Sequence, residues 1–142
     1  MNFLAFPPIR LYPVAMPRPP RITEPGLAYH ILNRRVLRLP IFRKHGDYRA
    51  FERVLALALA RPDAPKLLAY CLMRNHWHLV VLADKRSNLS TWMQWVQVTH
   101  THRWHAHHHT AGQGPLYQGR FKCFPIHVPY WTARPSAQAD FD

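Results

Sequence analysis

Tyr70-Cys71-Leu72-Met73-Arg74-Asn75-His76-Trp77-His78-Leu79 is the stretch on which the fold turns. It lies within two short apolar runs, Lys66 to Met73 (KLLAYCLM) and His76 to Ala83 (HWHLVVLA), separated only by Arg74-Asn75. A two-residue link between β-prone runs is that of an antiparallel hairpin, so these are read as the central strands. Side chains alternate across a strand, which puts His76 and His78 on one face and turns the large Trp77 to the other, toward a core. Two imidazoles so placed can reach one divalent metal. Two histidines can also simply occupy a solvated sheet face, and the triplet by itself is a weak signal for a metal.

Outward from the hairpin, Leu27 to Asn33 (LAYHILN) reads as a first strand, followed by a basic loop from Arg34 to Pro40 whose Arg34, Arg35 and Arg38 are expected to be exposed. Asp47 is expected to cap a helix with apolar positions Tyr48, Phe51, Leu55, Ala58 and Leu59 at three- and four-residue steps, stopped by Arg61-Pro62. A second helical pattern runs from Asn88 to about His107, with Leu89, Trp92, Met93 and Val96 as its inward stripe, and Gly112 and Gly114 end it. Leu116 to Ile126 (LYQGRFKCFPI) holds a fourth strand or an extended basic segment, interrupted by Gly119. The order β, α, β, β, α, β predicts an α+β domain, a ferredoxin-like antiparallel sheet with both helices on one face.

Seven prolines between Met1 and Pro25 make residues 1–25 an extended or disordered arm. The globular part is expected over residues 26–126. Residues 127–142, with two prolines and no apolar periodicity, form an irregular tail.

Charge narrows the partner. Lys and Arg number 19 against 7 Asp and Glu, a net +12 before any of the 11 histidines is protonated. Such an excess favours nucleic acid, whose counterions it releases, with aromatic residues among the arginines able to stack on unpaired bases. No apolar run reaches the roughly 18 to 20 residues that cross a bilayer, so no membrane role is expected. The start lacks the charged segment of a signal peptide, and Cys71 and Cys123 stand alone without metal or redox spacing. A cytoplasmic setting without a disulfide follows.

The central stretch resembles the Y-x-x-M-P-N-H-x-H signature of HUH transposases. Other segments are similar, in order, to the REP-associated branch of the single-tyrosine, insertion-sequence type: Met16-Pro17-Arg18-Pro19-Pro20-Arg21, Tyr29-His30-Ile31 with Asn33-Arg34, Ile41-Phe42, Leu89 to Trp95, Arg103-Trp104-His105, and Tyr117-Gln118-Gly119-Arg120-Phe121-Lys122. The resemblance spans Met16 to about Ile126. Arg74 departs from it, standing where proline is usual.

This resemblance implies DNA transposition by cutting and rejoining single-stranded or hairpin DNA, a tyrosine hydroxyl attacking a phosphodiester to leave a 5′-phosphotyrosyl link. It assigns His76 and His78 to a metal, Mg²⁺ or Mn²⁺, that polarises the scissile phosphate. It also places Asn33, Arg34, Arg35, Arg38, Asn75, Gln118, Arg120 and Lys122 at the DNA. Relatives occur as dimers and as monomers, and a homodimer is compatible with the sheet edges.

In the family the nucleophile lies on a later helix, in a pattern like R-Y-x-x-x-N-P, which this sequence does not contain. Tyr130 is the one tyrosine beyond Tyr117, in an unlike Val-Pro-Tyr-Trp setting, and is the substitute candidate. The tail reads as a truncation or a frame-shifted ending, so cleavage is expected to be weak or absent and a third metal ligand lost.

Two rivals are a single-stranded DNA- or RNA-binding remnant without a metal role, and a His-rich metal binder unrelated to DNA. His100, His102, His105, His107, His108 and His109 are read as a solvated helix end, and Trp92, Trp95, Trp104, Phe42 and Phe51 as packing residues.

Overall fold

A computed structural model of the chain describes residues 23–126. Most of the proline-rich arm and all of the tail from residue 127, Tyr130 included, lie outside the described residues. In chain order the elements are β1 (Ala28–Arg34), α1 (His45–Leu59), β2 (Lys66–Met73), β3 (His76–Leu82), α2 (Leu89–His108) and β4 (Lys122–Ile126), with a single 3-10 turn at Val36–Arg38. The sheet order is β2-β3-β1-β4 and every pair is antiparallel. This is the βαββαβ arrangement expected of a ferredoxin-like α+β domain.

Register follows from the hairpin. Met73 pairs with His76 across the two-residue link, and β3 then pairs with β1 so that Arg34 meets His76 and Leu32 meets His78. On the opposite strand face, Trp77, Leu79 and Val81 are buried together with Tyr29 and Ile31 of β1. Both helices cover that face. Phe51 of α1 stacks on Trp77 at 5.6 Å, and α2 supplies Trp92, Met93, Val96 and Trp104. Trp92 Nε1 donates to the Ala58 carbonyl at 2.9 Å, fastening α2 to α1. Trp104 Nε1 reaches the Ile41 carbonyl at 2.7 Å.

Several details depart from the expectations. Asp47 is not the residue before α1 but the third within it. Its carboxylate accepts from the backbone N–H of Arg43 and Lys44, so the helix begins three residues earlier than a cap at Asp47 would allow. For α2, Asn88 does cap, accepting from Thr91 N at 3.2 Å, while the helix ends at His109 in the left-handed conformation, before either glycine.

The fourth strand is shorter than its apolar run. Residues 116–119 fold back on the loop after β1 through single contacts, Gln118 N to the Arg34 carbonyl and Val36 N to that of Leu116. Regular pairing resumes only at Lys122. Pro125 is tolerated because β4 is a sheet edge. The other edge, β2, carries an irregularity between Leu67 and Ala69.

The histidine-rich end of α2 is not uniformly solvated. His100 is 2% exposed, and the His108 ring stacks on Trp104 at 3.9 Å with Nε2 3.7 Å from the Asp47 carboxylate. His100 belongs to a polar chain through the core: Trp77 Nε1 donates to Tyr117 Oη at 3.0 Å, and that hydroxyl lies 2.6 Å from His100 Nδ1. Indole N–H only donates, so the phenol accepts from Trp77 and gives its proton to His100, whose Nδ1 must be unprotonated. Burial fits this, lowering the His100 pKa to about 3 against a weaker opposing pull from Asp47, and raising that of Tyr117.

A histidine neutral when folded and ordinary when unfolded binds its proton preferentially in the unfolded chain between about pH 6.5 and 3. Stability is therefore intact above pH 6.5 and falls as the pH drops through that window, by on the order of 3 kcal/mol at pH 4. His100→Gln keeps an acceptor for Tyr117 without a titrating group. Urea denaturation from pH 7 to 4 is expected to show a flatter stability profile for the variant than for the parent.

Candidate nucleic-acid interface

The helix-free face of the sheet carries the histidines. His76 and His78 project there from β3 with ring centroids 5.0 Å apart and ring planes 80° to one another, as the pleat requires. They line a cleft of about 580 Å³ with Leu32, Asn33, Arg34, Arg38, Asn75, Gln118, Arg120 and Lys122. Among the described residues, every charged residue of that lining is a cation. The lining thus unites the end of β1, the loop after it, the β2-β3 turn and the segment leading into β4.

Several residues build the walls. Asn75, in the hairpin turn, donates from Nδ2 to the Arg38 carbonyl at 3.3 Å, while its backbone carbonyl accepts from Arg35 N at 3.0 Å. Leu37 and Arg38 both hold positive φ, a conformation unfavourable for side chains with a Cβ, in the turn that brings Arg38 to the rim. Arg34 Nε donates to Gln118 Oε1 at 2.7 Å, holding the two walls together. Asn33 is 6% exposed and acts on the chain itself, donating to the Gly119 carbonyl at 3.0 Å and accepting from Arg34 N at 2.8 Å. Gly119 has φ of +130°, open to glycine and strained for other residues, so this bond fixes a turn that presents Arg120.

One expected position behaves otherwise. Arg35 is turned away from the cleft. Its guanidinium sits 4.3 Å over the Trp104 ring and bonds the Pro40 carbonyl through Nη1, a packing role imposed by the turn at Val36–Arg38. Arg74 contributes its carbonyl, which accepts from Ile41 N and Phe42 N and so ties the hairpin turn to the segment before α1.

The imidazole chemistry is set by neighbours. His76 Nδ1 lies 2.7 Å from Asn75 Oδ1, and because the Asn75 amide nitrogen is committed to Arg38, that oxygen accepts and Nδ1 carries the proton. The His76 Nε2 lone pair is then available to a metal. His78 Nδ1 lies 2.9 Å from Nε2 of His30, a β1 residue on the same face that the sequence motifs did not single out as a site residue. Burial first, then repulsion from His76 and His30, lowers the pKa of His78, which favours its neutral form. Among the described residues, no group of three or more His, Cys, Asp or Glu is arranged to hold a metal. The pair His76 and His78 would offer an ion two nitrogen donors, with the remaining positions left to other groups.

A strand-borne histidine pair at the floor of a cationic cleft, on a βαββαβ sheet, is the setting in which comparison with known proteins becomes decisive. The family model described as "Transposase IS200 like" matches residues 23–130. The chain belongs to the IS200-like transposase family.

Two solved structures share the fold of this transposase-family chain. The REP-associated tyrosine transposase bound to a REP hairpin aligns with a TM-score of 0.61 at 17% identity over 82% of the chain. The chain spans 66% of that structure's length. A protein of Deinococcus radiodurans R1 assigned as a transposase aligns with a TM-score of 0.57 at 15% identity, covering 81% of this chain and 88% of the other. No curated protein matches the chain. Among the described residues, no helix is long and apolar enough to cross a membrane.

Replacing Asn33 with Ala removes two partly buried hydrogen bonds and should lower stability by roughly 1 to 3 kcal/mol. Amide hydrogen exchange at residues 118–121 is expected to accelerate more than exchange in β2, which Asn33 does not touch.

Proposed function

We propose that this chain binds single-stranded or hairpin DNA through the cleft, as the DNA-binding part of a transposition and recombination protein acting in the cytoplasm. The observation that carries the reading is the His76-His78 pair at the base of a cleft whose charged lining among the described residues, Arg34, Arg38, Arg120 and Lys122, contains no acid. Such a lining draws a phosphodiester toward the two imidazoles by counterion release. A REP hairpin is the DNA bound by one structural neighbour, which favours a folded single strand over continuous duplex as the ligand. Arg34, Arg38, Asn75, Gln118, Arg120 and Lys122 are assigned to DNA contact. Asn33 is assigned to shaping the wall, and Arg35 to supporting the loop from behind.

A divalent cation, Mg²⁺ or Mn²⁺, held by His76 and His78 would polarise a phosphate oxygen and offset charge developing in strand cleavage. The donor set fits such an ion in part: each imidazole has Nδ1 engaged by a neighbour and Nε2 left over, and burial disfavours the charged form of His78. Hard cations complete their shell with oxygen, which a bound phosphate provides.

A nucleophile is a separate matter. No tyrosine among the described residues lines the cleft: Tyr117 and Tyr29 are buried toward the helices, and Tyr70 bonds Glu52 of α1. Tyr130 remains the candidate, and binding is the property that the described residues support directly. The two-donor set also favours a second reading, a metal-independent DNA- or RNA-binding module.

Fluorescence anisotropy with a labelled single-stranded hairpin is expected to give binding that weakens steeply with salt. Arg38→Ala and Arg120→Ala should each reduce the logarithmic salt slope by about 0.7 to 1. Unchanged slopes in both would remove the cleft from the interface.

Incubation with the hairpin and Mn²⁺, followed by denaturing electrophoresis, tests the chemistry. A covalent adduct lost in both His76→Ala and Tyr130→Phe would assign cleavage to this chain. Binding that is indifferent to chelator and to His76→Ala would establish the metal-independent reading.

A further inference from the structure

His30 of β1 shares the helix-free face with His78 because the two are diagonal neighbours across the β1-β3 pair: His30 lies opposite Val80, and His78 opposite Leu32. Their ring planes are 16° apart, and His30 Nε2 sits 2.9 Å from His78 Nδ1. Two ring nitrogens at this distance share one proton, carried by one of them. We propose that His30 is a positioning residue for the His76-His78 pair, accepting the Nδ1 proton of His78 and so leaving the Nε2 lone pair of His78 toward the cleft.

Geometry supports this direction. His78 lines the cleft and His30 does not, so the Nδ1 edge of His78 faces its neighbour and the opposite edge is the one presented. The cleft gathers Arg34, Arg38, Arg120 and Lys122, and a field of that sign favours a lone pair over an N–H dipole at the exposed edge. Asn75 does the same for His76, its oxygen accepting from Nδ1. Each member of the H-x-H pair is thereby set in one tautomer by a different partner, one from its own hairpin turn and one from the adjacent strand. Without such a partner an imidazole distributes its proton between both nitrogens, and metal ligation must first select the competent form.

The role of His30 toward a cation rests on the metal reading above; its role in fixing the tautomer does not. The test uses the full chain. Long-range proton-nitrogen correlation NMR on metal-free protein at pH 7.5 is expected to show His78 protonated at Nδ1 and unprotonated at Nε2. In His30→Ala that preference should disappear, and Mn²⁺ affinity, measured by titration calorimetry, should fall by about 10- to 100-fold. His30→Gln, whose Oε1 can accept the same proton, should restore the tautomer and most of the affinity.

A wild-type His78 protonated at Nε2, or a His30→Ala spectrum identical to wild type, would overturn the proposal. So would Mn²⁺ affinity within twofold of wild type in His30→Ala. Should His30→Ala fail to fold by circular dichroism, the wild-type and His30→Gln spectra decide. Mn²⁺ binding that survives His76→Ala refutes the metal reading itself, while the metal-free nitrogen spectrum still reports on His30.

Discussion

Everything in the cleft depends on Trp77 being held inward. It occupies the middle of the H-x-H triplet, fully buried, with its ring stacked on Phe51 and its N–H bonded to the Tyr117 hydroxyl. A large anchored side chain between the histidines fixes the strand's rotation, since a one-residue slip would carry both imidazoles into the core and expose the indole. Because Tyr117 immediately precedes Gln118, Gly119 and Arg120, the same hydrogen bond that seats the strand also seats the cleft wall that faces it. The two sides of the cleft are thus joined through the core beneath them.

That linkage gives the buried histidine at position 100 its role. An apolar residue there would leave the Tyr117 hydroxyl without an acceptor in a dry interior, and an unsatisfied buried hydroxyl is destabilising by roughly 1 to 3 kcal/mol. Neutral imidazole satisfies it and packs edge-on against Phe51. The interior therefore holds a short directed chain of donors and acceptors, ordered from strand to loop to helix, within an otherwise apolar core.

The parts legible in the sequence are those governed by local periodicity. The Arg74-Asn75 link gave the hairpin with its register, the alternation around Trp77 gave the shared face of His76 and His78, and the three- and four-residue steps gave both helices. The basic segments around Arg34 and Arg120 were legible as one surface because the family motifs placed both. What escaped were consequences of non-local packing. His30 becomes a site residue only once β1 is known to lie beside β3 in a particular register, although its place between the buried Tyr29 and Ile31 already marks its face. Arg35 turns inward because of backbone torsions that no composition rule contains, and His100 is buried and His108 partly buried because the end of α2 crosses the start of α1.

The margins of the sheet have a consequence of their own. At one of them Pro125 removes an amide from β4, and at the other the step between Leu67 and Ala69 breaks the even spacing of β2. A stray extended chain approaching either side meets an incomplete row of donors and acceptors, which discourages the unlimited strand addition that leads to fibres. Beside half-exposed apolar side chains such as Leu68 and Phe124, this backbone irregularity and the +12 net charge both work against open-ended strand addition.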